Sequence, residues 1–417
     1  MSVVADRESE VRSYSRVWPA AFDHARGSWL YTKTGDAYLD FFSGAGTLNY
    51  GHNEPRLKGA LIDYLQRDGV THGLDMFTTA RADMVDTLST LVLEPRGLDY
   101  KIAFPGPAGA TAVEAALKLA RKASGRKVVG YFDMGYHGMT AGALSVAGNA
   151  TRRASAGVPF GYTVELPYDL GPDRAAGEVP DFDRLLAGTG RLADLAAVIV
   201  ETVQGEGGMN TARSAWLRAL AAACRRNGVL LIVDDIQMGC GRTGPFFSFE
   251  DAGLVPDMVC LSKGIGGYGC PLSLLLIRPE LDVWRPGEHN GTFRGFNLAF
   301  VTGAEALRAY WSDDKLERST RARGELVGQL LRDIAAEHPG AGLDVRGRGL
   351  ALGLGFADPA QARRAQSVAF ERHLLMETSG AHDNVVKLLP ALTIADDELE
   401  QGLTILRDSV RVALGGE

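Results

Sequence analysis

The chain has 417 residues, 46% of them hydrophobic and 23% charged, enough for two packed domains, since a single core rarely grows beyond roughly 250 to 300 residues. Its formal net charge of −7 is interspersed without acidic or basic blocks, which argues against a nucleic-acid or membrane-binding surface and for a small-molecule partner. No apolar run approaches the roughly 20 residues that span a bilayer, and the charged stretch from Met1 to Glu10 lacks the apolar centre of a secretion signal, so a cytoplasmic protein is expected.

In chain order, Asp36 to Phe42 predicts a short strand after a Thr34-Gly35 turn. PGPAGATA, residues 105–112, is a glycine-bearing loop feeding a helix over Val113 to Lys122, where Glu114 and Lys118 form a favourable i,i+4 pair. Free backbone N–H groups, the positive end of the helix dipole and small residues suit a phosphate there, and the same features suit a plain helix start. Tyr136-His137-Gly138 follows the apolar segment Val128 to Phe132. Its ring is fit either for stacking on a flat cofactor or for packing a loop.

Three apolar runs come next, separated by helical segments, the pattern of a mostly parallel sheet covered on both faces. Ala196 to Val200 leads to Glu201, Val229 to Val233 leads to Asp234 and Asp235, and Met258 to Leu261 leads to Ser262 and Lys263. Ligands in such sheets bind beyond the carboxyl ends of the strands, so the three tips are expected to converge. The helix from Trp216 to Arg226 should stop at Asn227-Gly228. From about Trp311 the pattern turns helix-rich, with a late apolar stretch from Val385 to Leu389. The expected division is a large domain over 51–310 and a smaller one assembled from 1–50 and 311–417.

Asp234 follows five apolar residues, and burying its carboxylate is costly without a cationic or hydrogen-bonding partner. A protonated pyridine nitrogen would serve and would keep the ring electron-withdrawing. A metal-binding pair with Asp235 fits less well, because adjacent strand residues point to opposite faces. Lys263 is presented from a strand tip into the glycine-rich stretch Gly264 to Gly269. A semi-buried lysine loses its charge readily, and the neutral amine can form a Schiff base with an aldehyde and then shuttle protons. Cys224, Cys240, Cys260 and Cys270 form no CxxC pair; reduced thiols are expected, and no metal site.

Taken together, NYGHNEP (49–55), GPAGATAVEAALKLAR (106–121), YHG (136–138), ETVQGEGG (201–208), LIVDDIQMGCGRTG (231–244), LSKG (261–264) and NGTFRGFN (290–297) resemble, in order, the class III (ω-amino) aminotransferases of the fold type I pyridoxal-phosphate enzymes. The resemblance implies an α/β fold with a large, mostly parallel, doubly wound sheet domain and a smaller α+β domain from the two termini. It implies pyridoxal 5′-phosphate joined to Lys263, with Asp234 at the pyridine nitrogen, Gln237 at the phenolic oxygen, Tyr136 on the ring and His137 beside it. Gly109, Ala110 and Thr111 would hold the phosphate. Thr292 would reach the phosphate of a neighbouring subunit's cofactor, which implies a homodimer with shared sites, and Glu201, Glu206 and Lys387 would meet the substrate.

THGLD (71–75), LEPRGLDYK (93–101), GEHNGTFRG (287–295) and VVKLLPALTI (385–394) resemble more narrowly the diaminobutyrate:2-oxoglutarate aminotransferases, those of ectoine synthesis among them. That implies ping-pong exchange between L-2,4-diaminobutyrate and aspartate 4-semialdehyde, and between glutamate and 2-oxoglutarate. Lys387 stands where many class III members carry an arginine, and a lysine cannot make the bidentate carboxylate contact; a switchable Glu206–Lys387 pair is the expectation. Ala108, Ala110, Gly264 to Gly267 and Cys270 also depart from the subgroup. They leave open another diamino or ω-amino acid from secondary metabolism, and an aminomutase or racemase would use the same lysine and aspartate without an amino acceptor. A cofactor-binding regulator without turnover fits less well, given the complete lysine, aspartate and glutamine set.

Overall fold

The computed structural model describes residues 6–11, 17–169, 179–186, 188 and 190–416; of the charged N-terminal stretch, residues 1–5 lie outside it. Its first sheet is an antiparallel meander of β1 (Phe22–Arg26), β2 (Trp29–Thr32) and β3 (Ala37–Asp40). The second turn passes through Gly35, whose φ of 91° an L side chain would resist. Leu374–Leu375, from far along the chain, adds a parallel strand against β3. Residues near the two ends of the chain thereby share one sheet.

Among the described residues the central sheet has seven strands: β4 (Lys101–Ala103), β5 (Val128–Phe132), β6 (Thr163–Leu166), β7 (Leu195–Val200), β8 (Leu230–Asp234), β9 (Met258–Leu261) and β10 (Leu274–Ile277). Their spatial order is β4–β10–β9–β8–β7–β5–β6. Every pairing is parallel except those of β10, which runs against both β9 and β4. β5, β7, β9 and β10 are buried along their whole length, the reason they read as unbroken apolar runs.

Helices cover both faces, and the pleat decides which residues each face receives. Ile232 of β8 packs on the side of α1 (Gly109–Ser124), whereas its neighbours Leu231 and Val233 pack on the side of α2 (Ser214–Arg226). Helix α1 starts four residues before the Val113 expected from sequence, because Gly109 to Ala112 are too small to show a helical period. It stops at Gly125, φ 70°, with Arg121 and Lys122 in its last turn. Helix α2 stops as expected, at Asn227 followed by Gly228 with φ 60°.

Downstream run α3 (Asn297–Tyr310) and α4 (Lys315–Glu337), then an antiparallel sheet of β11 (Asp344–Arg348), β12 (Ala351–Gly355), β13 (Glu377–Ser379) and β14 (Val385–Leu388) in the order β11–β12–β14–β13. Helices α5 (Pro359–Glu371) and α6 (Asp396–Ala413) pack together beside it. Among the described residues no helix is long and apolar enough to cross a membrane. The four cysteines are free, as expected.

One buried cation ties these parts together. Arg242, wholly buried, donates to Asn49 Oδ1 at 2.7 Å and to the carbonyls of Leu350 and Pro390. Arg242→Ala would leave those acceptors unpaired and open a cavity, a loss of about 3 kcal/mol or more. A fall of roughly 5 to 10 °C in apparent melting temperature is expected; an unchanged thermal melt would remove the linking role.

Candidate active site

The parallel strands β8 and β9 end side by side, with Asp234 in register with Cys260. Three residues beyond Cys260, Lys263 opens a single 3₁₀ turn in the left-handed region, φ 51°. That conformation costs a non-glycine residue of order 1 kcal/mol or more and survives only where its surroundings enforce it. Gly264 is part of the enforcement: a Cβ there would lie 2.5 Å from the Asn49 amide nitrogen. Backbone and amide pack so closely that the lysine has little other room.

Beyond the strand tips lies a cavity of about 270 Å³. It brings together Gly109, Ala110, Tyr136, His137, Glu201, Glu206, Asp234, Gln237 and Lys263, each singled out from the sequence. Thr111 and Thr292 lie apart from it, in an adjoining cleft with Gly106, Glu114 and Phe293. The Thr111 hydroxyl donates to the Ala108 carbonyl at 2.5 Å and sits 3.2 Å from the Ser273 hydroxyl. Lys387 lies behind Glu206.

The start of α1 is built for close approach. Its N-cap, Ala108, is extended and offers no side-chain acceptor to the first turn, so a bound anion would meet no capping side chain there. Gly138, φ 122°, lies so near Ala110 that a Cβ would come within 2.6 Å of the alanine methyl. Loop and helix start thus close on each other.

Asp234, buried at the cavity wall, has Oδ2 2.6 Å from His137 Nδ1 and accepts the Ile236 N–H on Oδ1 at 3.2 Å. Burial is the largest single influence and would lower the His137 imidazole pKa, but the hydrogen bond to Asp234 and the charges of Asp234 and Glu201 together outweigh it and the net shift is upward. Asp235 faces the other way, accepting the Ser248 N–H at 3.0 Å and the Ser248 hydroxyl. Burial pushes its carboxyl up to about 7. The two carboxylates thus point to opposite sides, as the strand alternation foretells.

Glu201 accepts the Tyr136 N–H at 2.9 Å. Burial, reinforced by Asp234 and Glu206 and opposed by His137, pushes its carboxyl up to about 8. The Tyr136 ring has the Arg152 guanidinium 4.8 Å from its centroid. Lys263 is pushed down by burial and by the charge of Lys387, against the pull of Glu206 and Asp234.

At the far wall Lys387 Nζ donates to Glu206 Oε1 at 2.5 Å and lies 3.0 Å from Glu377 Oε2. Burial would raise the Glu206 carboxyl, but Lys387 and Lys263 hold it at about 2. The Gln237 amide donates to the Ala45 carbonyl at 3.0 Å and to Glu206 at 3.4 Å. That carbonyl belongs to a run of left-handed residues, Ser43 to Gly46, with φ of 48°, 58°, 55° and 84°.

Sequence reasoning missed Ile236, Glu377 and this turn. Ile236 lines the cavity two residues after Asp234, so strand alternation was an available signal. The alternating glycines of Ser43-Gly44-Ala45-Gly46 hinted at unusual backbone. Glu377 had no local signal, since its importance comes from a strand partner ten residues on.

Known proteins are similar to this chain in sequence and in fold. The Aminotransferase class-III family profile matches residues 11–410. The diaminobutyrate–2-oxoglutarate transaminase of Nocardia farcinica is 58% identical over 416 residues, 100% of this chain and 95% of that protein. Its counterpart in Halalkalibacterium halodurans is 49% identical over 412 residues, 99% of this chain and 96% of that one. Among solved structures, the ornithine aminotransferase of Toxoplasma gondii has a TM-score of 0.86 at 26% identity, covering 99% of this chain and 94% of its own. A second structure of that enzyme, crystallised with oxidised glutathione, has pyridoxal phosphate at partial occupancy in its active site. With a family match over 11–410 and relatives 58% identical along the whole chain, this protein belongs to the class III aminotransferases, within fold type I.

Proposed function

We propose that this aminotransferase passes the terminal amine of L-2,4-diaminobutyrate to 2-oxoglutarate, forming aspartate 4-semialdehyde and glutamate in two half-reactions. The observation that carries the reading is the meeting of Lys263 and Asp234 in one cavity at neighbouring strand ends. The substrate assignment is supported by 58% identity to a diaminobutyrate–2-oxoglutarate transaminase.

Class III aminotransferases work with pyridoxal 5′-phosphate, and the residues present fit it: a buried carboxylate, a ring, an uncapped helix start and a buried amine. When bound, the cofactor supplies an aldehyde that captures amines and a protonated pyridine that draws electrons from the substrate carbon. Asp234, steadied by His137, would hold the pyridine proton. Gln237 would meet the phenolic oxygen, Tyr136 would cover the ring, and Gly109 and Ala110, with Thr111 from the adjoining cleft, would hold the phosphate. Lys263 would be the covalent anchor, and its Nζ, when free, would take the proton from the amine-bearing carbon of the substrate and give it back on the cofactor side, a base role that its lowered pKa favours.

Glu206 and Lys387 act as a pair. With the two joined, the wall tolerates the diamine; when Glu206 swings aside, Lys387 meets a carboxylate of 2-oxoglutarate. Glu201 lies beside the substrate. We assign Thr292 to a neighbouring subunit's cofactor in a homodimer, a reading supported by Met76, Phe77 and Phe293, exposed apolar side chains on segments that run together near it. We assign the described parts of 1–50 and 311–417 to the smaller domain and those of 51–310 to the larger, a division supported by the pairing of β3 with Leu374–Leu375. Small polar substrates favour a cytoplasmic enzyme.

Lys263→Ala is expected to lose at least about a thousandfold in transamination, with an unchanged circular-dichroism spectrum and cofactor still bound without a covalent link; full activity would overturn the assignment. Below about pH 8 Glu201 is protonated and neutral, and above it the carboxylate repels an anionic acceptor. The kcat/KM for 2-oxoglutarate should therefore fall as pH rises through about 8, and Glu201→Gln, locked neutral, should flatten that limb. An unshifted pH profile in the variant would contradict the role.

A further inference from the structure

Lys387 is a completely buried cation with two carboxylates on it, and the two are held differently. Glu206 makes the directional bond, 2.5 Å from Nζ, and also lines the cavity. Glu377 is the direct cross-strand neighbour of Lys387, register partners on β13 and β14. Its buried Oε2 lies 3.0 Å from Nζ without an aligned hydrogen bond among the described residues, so it acts mainly through charge. Glu206 sits in the turn between the paired segments Val203–Gln204 and Asn210–Thr211, outside any strand, with its side chain in the cavity lining. Glu377 is fixed in a sheet.

The charges of the three sum to −1, from two carboxylates and one ammonium. With Glu206 seated, this wall favours a cationic group and disfavours a second carboxylate. When Glu206 moves aside, Lys387 still faces Glu377, and an ammonium already half neutralised is a weaker anchor for a carboxylate than a free one.

We infer that Glu377 is a specificity-determining positioning residue: it sets how strongly Lys387 grips a dicarboxylate, and so balances the diamine half-reaction against the acceptor half-reaction. This rests on the Glu206–Lys387 reading above and adds a member to it. The Glu377 side chain is 32% exposed, so solvent screens part of its charge and the effect is modest.

The test uses the cofactor-loaded enzyme and glutarate, a dicarboxylate that cannot accept an amine. In Glu377→Gln, glutarate Kd and 2-oxoglutarate KM should each fall by about three- to tenfold, while KM for diaminobutyrate rises over a similar range and kcat changes less than KM. Glu377→Asp, which keeps the charge, should restore wild-type values. Unchanged glutarate binding in Glu377→Gln, or an aspartate variant that behaves like the glutamine one, overturns the inference. Lys387→Met separates the two layers. If it leaves 2-oxoglutarate kinetics unchanged, the Glu206–Lys387 reading itself fails; if it weakens 2-oxoglutarate while Glu377→Gln does nothing, only the role of Glu377 fails.

Discussion

A carboxylate at the end of five apolar residues has to be held by a positive charge or by hydrogen bonds, and the site grows out of that constraint. The run Val229 to Val233 carries Asp234 to the carboxyl edge of a sheet buried on both faces. His137, fed in from the loop after β5, supplies one partner at 2.6 Å. The next strand over delivers Lys263 in a strained turn to the same cavity. Charged groups that would be costly alone become affordable because parallel strands end together.

Much of this was legible in the chain. Unbroken apolar runs marked β7, β8 and β9 because strands covered on both faces need no polar alternation, and each run ended on a residue of the cavity: Glu201, Asp234 or Lys263. The opposite facing of Asp234 and Asp235 followed from strand geometry alone. The less legible features are non-local. Glu377 matters only because β13 pairs with β14, and Ala45 matters only because its carbonyl receives Gln237. The start of α1 was placed too late because glycine and alanine carry no periodic signal.

The departure at position 387 gains meaning from its surroundings. Lys387 comes with a second carboxylate directly across the strand pair. Lysine concentrates its charge at one nitrogen, so two carboxylates compete for a single centre, whereas a guanidinium would offer each its own edge. Competition of that kind suits an enzyme that must accept a cationic and a dianionic partner in turn. Arg242, by contrast, has no ion pair among the described residues and ties Asn49, Leu350 and Pro390 together through hydrogen bonds.

The account stands on the covalent role of one side chain. Borohydride reduction of the cofactor-loaded protein, followed by proteolysis and mass spectrometry, should find the pyridoxyl group fixed on the peptide that contains Lys263. A label on another residue, or no label in protein that is fully active, would contradict it.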